Sequence, residues 1–88
     1  MVLSDLNTMV RYYFDFRSGD VLSRDEEGLD LADASVAHKE AIGSLSDAIR
    51  DIAIEGVKEQ QIGVEVRDRL GVVFKATAIL RSKILRRQ

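Results

Sequence analysis

The stretch ASVAHKEAIGSLSDAIRDIAIE, residues 34–55, reads as the one long helix of the chain. At about 100° per residue, Ala34, Ala37, Ala41, Leu45, Ala48, Ile49 and Ile52 fall on one stripe, with Ile42 at its edge. Lys39, Glu40, Ser44, Asp47, Arg50 and Asp51 lie opposite. Asp33 stands where an N-cap belongs, and Gly56 supplies the left-handed residue that ends a helix. Much of the stripe is alanine, so the helix axis can approach a sheet closely. A single helix covers only one face of a sheet, so the remaining chain must form one sheet with its other face open.

The segments on either side supply that sheet. Upstream, VRYYFDFR (10–17) alternates, with Val10, Tyr12, Phe14 and Phe16 on one face and Arg11, Tyr13, Asp15 and Arg17 on the other. Ser18-Gly19-Asp20 is turn chemistry, and VLSR (21–24) returns as a short strand, giving a hairpin. Downstream of a polar link, VKEQQ (57–61), IGVEVR (62–67) points Ile62, Val64 and Val66 inward. A turn at Asp68-Arg69-Leu70-Gly71 leads into VVFKATAIL (72–80), with Val72, Phe74, Ala76 and Ala78 as the inner set.

The expected fold is therefore α+β, in the order β-β-α-β-β: a four-stranded, mostly antiparallel sheet with one helix packed on one face. Two strand orders remain open: the third strand parallel beside the first, or the two hairpins edge to edge. Residues 1–8 are expected to be a disordered extension, 9–80 a single domain, and 81–88 a basic tail. Met9 is a candidate native start.

Composition narrows the chemistry. With 88 residues and no cysteine, neither disulfides nor thiolate metal sites can supplement a modest core. No apolar run is long enough to span a bilayer, and the first residues lack a secretory pattern, so the reading is cytoplasmic with no membrane partner. Net charge is −2, against a general nucleic-acid binder, but it is unevenly placed. Residues 20–33 hold six acids and one base, whereas RSKILRRQ (81–88) holds four bases and no acid.

MVRYYFDFRSGD, RDEEGLDLADASVAHKEA and VEVRDRLGVVF together resemble a family of small domain-of-unknown-function proteins found mainly in rhizobia and related alphaproteobacteria. The combination carrying the likeness is an aromatic alternation, Tyr-x-Phe-x-Phe, followed by Gly-Asp and then Asp-Glu-Glu-Gly ahead of a helix. The chain departs from that pattern at Arg69-Leu70 and in its basic tail. The resemblance implies no reaction, cofactor or catalytic residue.

Each candidate site has an ordinary alternative. Asp25, Glu27 and Asp30 offer carboxylates to a hard cation, yet their spacing fails the alternating calcium-loop pattern, and a turn with a helix cap accounts for them. No catalytic residue, metal site or cofactor is therefore assigned. His38, within the apolar stripe near the helix start, is the candidate pH-sensitive residue; its ordinary reading is a part-buried, hydrogen-bonded histidine. Arg11, Tyr13, Arg17, Arg67, Val73 and Lys75 on the open sheet face form the candidate interaction surface. Ile79 lies on the same face. Arg81, Lys83, Arg86 and Arg87 are candidate tail contacts. One histidine, no phosphate-cradling glycine loop and no metal-ligand spacing argue against an enzyme. The expected function is a small non-enzymatic protein-interaction module, homodimeric or acting on another protein. The alternative is a nucleic-acid-binding or antitoxin-like regulator using the tail.

Overall fold

A computed structural model describes residues 8–86. The extension expected over residues 1–7 and the tail contact expected at Arg87 lie outside the described residues. In chain order the elements are β1 (Val10–Ser18), β2 (Val21–Ser23), β3 (Leu29–Leu31), α1 (Ala34–Ile54), β4 (Glu59–Asp68) and β5 (Gly71–Arg81). The fold is α+β, with one helix and an open sheet ordered β2-β1-β4-β5, β3 also pairing with β1. Every described pairing is antiparallel.

The hairpins thus meet edge to edge through β1 and β4. Because β3 and β4 both run against β1, they run in the same direction, and α1 is the crossover between them. The helix starts where Asp33 accepts the Val36 N–H at 3.0 Å. It ends at Gly56, whose φ of +84° only glycine adopts freely. Ala37 and Ala41 are fully buried against the sheet beside Tyr12, Leu45, Ile62, Val64 and Val66. Among the described residues, only Ile62 and Val66 are large side chains with essentially no exposure, so the core is thin.

Several expectations need correction. Among the described residues the sheet has five strands, because Leu29–Leu31, read as part of an acidic turn, pairs with Val10–Tyr12. The link VKEQQ is not all link: Glu59–Gln61 pair with Ile79–Arg81 and open β4. Arg81 belongs to β5 rather than to the tail. Val72 is not an inner residue. Val66 faces Phe74 and Arg67 faces Val72, so Val73 is the extra residue of a bulge. Cross-strand partners share a face, so Val72 joins Arg67 on the outer face, where it is 54% exposed. Ala34, at the first helical position, is exposed as well.

Candidate functional site

The outer sheet face was expected to meet water or a partner throughout; instead its β1–β3 end is sealed by residues 24–28. β2 and β3 follow one another along the edge of β1 away from β4. Between Phe16↔Ser23 and Tyr12↔Leu29, five residues (24–28) face only three (13–15). The surplus folds over the outer face, and Phe14 loses a backbone acceptor. Asp25 replaces it.

The Asp25 carboxylate accepts the Phe14 N–H at 3.1 Å with one oxygen. Its other oxygen accepts the N–H groups of Glu27 and Gly28, at 3.0 and 3.1 Å. The Asp25 N–H in turn donates to Asp15 at 2.9 Å. Asp15, 5% exposed, is the one buried charged residue described, and Arg67 neutralises it through Nε at 2.8 Å. The same guanidinium donates to the Asp25 carbonyl at 2.7 Å and lies 4.5 Å from the centre of the Tyr13 ring. Alongside, Arg11 grips Asp30 with two 2.9 Å bonds and donates to the Glu27 carbonyl at 2.6 Å. Loop and sheet are therefore fastened by two arginines and three aspartates.

Two of these carboxylates, Asp15 and Asp25, titrate low. Burial alone pushes Asp15 up, but hydrogen bonds from Arg67 and the Asp25 N–H, with the charges of Arg67 and Arg24, hold it below its ordinary range. For Asp25, burial again pushes up. The Phe14, Gly28 and Glu27 N–H groups and the charge of Arg67 outweigh it.

Gly28 closes the loop because nothing larger fits. Its φ is +75°, and a Cβ there would sit 2.9 Å from Arg11 Cγ and 3.0 Å from Tyr13 Cε2. Gly28→Ala is expected to cost about 1–3 kcal/mol, from left-handed backbone strain plus displacement of Arg11 from Asp30. Urea unfolding measures it; an unchanged midpoint would mean that the loop does not hold this conformation.

The candidate residues therefore separate. Asp25, Glu27 and Asp30 do not converge: Asp25 serves backbone N–H groups and Asp30 serves Arg11, and among the described residues no cluster of three histidines or carboxylates could hold a metal. Arg11, Tyr13 and Arg67 belong to the fastened loop, so they are not an open surface. Arg17 and Lys75 lie on the part of the face that stays open, Lys75 within 3.6 Å of Glu65. His38 is exposed rather than part-buried, its ring 5.5 Å from that of Phe74. Arg81 lies 3.8 Å from Glu59, and Lys83 and Arg86 are exposed beyond it. Asp15 was absent from the candidate list. Its one signal is a charge inside an aromatic strand, on the face that also carries Arg67.

The open part is a shallow depression of about 170 Å³ over Gly63, with Arg17, Leu22, Glu65, Lys75 and Thr77 around it. β5 runs along its margin. Ile79 is 62% exposed on β5, and among the described residues β4 is the only strand paired with it. The surface thus combines apolar side chains with an unpaired strand edge, the two elements of recognition by strand addition.

A family model for a domain of unknown function matches residues 11–79, from the arginine that grips Asp30 to the exposed Ile79. No curated protein and no solved structure matches the chain. Among the described residues, no helix is long and apolar enough to cross a membrane.

Proposed function

We propose, from the premise that the chain belongs to the DUF6894 family of domains of unknown function, that it is a small non-enzymatic protein-interaction module, cytoplasmic and homodimeric. The bacterial setting implied by the sequence resemblance goes with this reading. The observation that carries it is the eleven-residue β5, whose second edge is unpaired among the described residues and whose exposed side chains include Val72, Val73 and Ile79. An edge of this length offers a ladder of backbone groups for affinity and alternate side chains for specificity. The fastened loop supports the same reading, since its carboxylates serve structure and leave no acid and base facing a common cleft.

The test is a tagged pull-down from host lysate, split into nuclease-treated and untreated halves, with wild type and Ile79→Lys compared. A protein that is retained after nuclease and lost from Ile79→Lys is the expected result. Nucleic acid recovered only while Lys83 and Arg86 are intact would instead favour the tail-dependent regulator. That regulator also predicts a steep loss of binding with salt.

A further inference from the structure

We infer that the occupant of the β5 edge is a second copy of the chain, paired β5 against β5 in antiparallel fashion about a two-fold axis beside Ala76. The inference rests on the interaction-module reading and specifies its partner. The other edge of the sheet is poorly suited: β2 and β3 are three residues each, interrupted by the fastened loop.

The orientation of the β5 backbone follows from one bond. The Ser82 N–H donates to the Lys58 carbonyl at 2.7 Å, and this pair continues the register of Arg81↔Glu59 and Leu80↔Gln60. In an antiparallel ladder, alternate residues turn both N–H and C=O to the same neighbour. Along the regular run, Leu80, Ala78, Ala76 and Phe74 therefore turn towards β4, and Arg81, Ile79, Thr77 and Lys75 turn their backbone groups to the free edge.

Two-fold symmetry then restricts the register. Like must face like in hydrogen-bonding parity, so the axis passes beside a residue and not between two. Ala76 is the midpoint of Gly71–Arg81, so an axis there overlaps the whole strand. It sets Lys75 against Thr77 of the second copy, within the regular run. In the closer, non-hydrogen-bonded pairs, Ala76 meets Ala76 and Phe74 meets Ala78, which is small against small and large against small. An axis at Lys75 would oppose two lysines, and one at Ala78 would oppose Lys75 and Arg81. The outer-face carboxylates Glu65 and Glu59 also draw Lys75 and Arg81 towards β4, away from the edge.

The charge pattern of the edge favours the same occupant, since at this axis no like charges oppose one another across the seam. Pairing at β5 would give one continuous sheet with both α1 helices on one side.

The experiment is sedimentation equilibrium of the full chain across micromolar concentrations, with three variants. Wild type is expected at twice the mass of the chain. Thr77→Pro deletes an outward N–H without touching the β4 ladder, so its circular dichroism should match wild type while dimerisation weakens about tenfold or more, two bonds being lost per dimer. The chain has no cysteine, so Ala76→Cys places one thiol per copy at the axis, and mild oxidation should convert most of it to a covalent dimer, unlike Thr77→Cys. A wild type that is monomeric throughout overturns the inference and the homodimeric part of the proposed function, yet leaves an interaction module acting on another protein standing if nuclease-resistant capture still depends on Ile79. A dimer indifferent to Thr77→Pro, or cross-linked through Thr77→Cys instead of Ala76→Cys, overturns the proposed axis.

Discussion

Asp25→Ala is expected to lower folding stability by about 2–4 kcal/mol, measured as a reduced urea midpoint. The size follows from what one carboxylate does: it accepts three backbone N–H groups, including that of Phe14 in the middle of β1. Removing a charged acceptor leaves these donors to find water, and the Phe14 N–H is part-buried. For 88 residues the total stability is about 4–13 kcal/mol, so the loss is a large share of it. Asp25→Asn keeps an acceptor but not its charge and should cost about half as much. Amide exchange at Phe14 should accelerate in both variants more than at Val66, across the sheet. A loss below about 1 kcal/mol would show that the loop is held by its arginines alone.

The stretch RDEEGLDLAD (24–33) shows how far the sequence was legible. Local patterns were enough for α1, since a cap at Asp33 and a left-handed glycine at Gly56 act within a few residues of the helix they bound. The alternation of β1 and of Ile62–Arg67 was legible for the same reason: its period is a local property. What stayed hidden depends on pairing at a distance. Leu29–Leu31 are strand only because β1 has an edge left over at Val10–Tyr12, and Glu59–Gln61 are strand only because Ile79–Arg81 lie opposite.

The inner and outer faces of β5 were misread at one residue for a related reason. Alternation counted forward from Val72 assumes a continuous pleat, and the bulge at Val73 shifts the count. The fastening of the loop was less legible still, since Asp15 and Arg67 are 52 positions apart. A turn-and-cap reading accounted correctly for Asp33 but undervalued Asp25. This has a functional consequence. Once Asp15, Asp25, Asp30, Arg11 and Arg67 are committed to one another, the charges available for recognition lie elsewhere, and the exposed β5 edge becomes the stronger candidate.

Acid is expected to produce the larger loss, because it acts on Asp15 and Asp25 together. Asp15 and Asp25 each have a folded-state pKa below the ordinary value. A carboxyl depressed on folding contributes its full stabilisation above the unfolded value of about 4 and loses it as pH falls through the lower folded value. Stability should therefore be nearly constant from about pH 5 upward with respect to these two groups and fall steeply below about pH 4. Protonated Asp15 would leave Arg67 without its anion, and protonated Asp25 would weaken the acceptor at Phe14, so loop and sheet part together. The double variant Asp15→Asn with Asp25→Asn should start less stable at neutral pH and show a flatter acid limb, its remaining slope coming from the exposed carboxylates. Urea midpoints of the two proteins between about pH 2 and 7 decide the matter. Parallel curves would mean that the loop is not fastened by these charges, and converging curves that Asp15 and Asp25 carry the acid sensitivity of the fold.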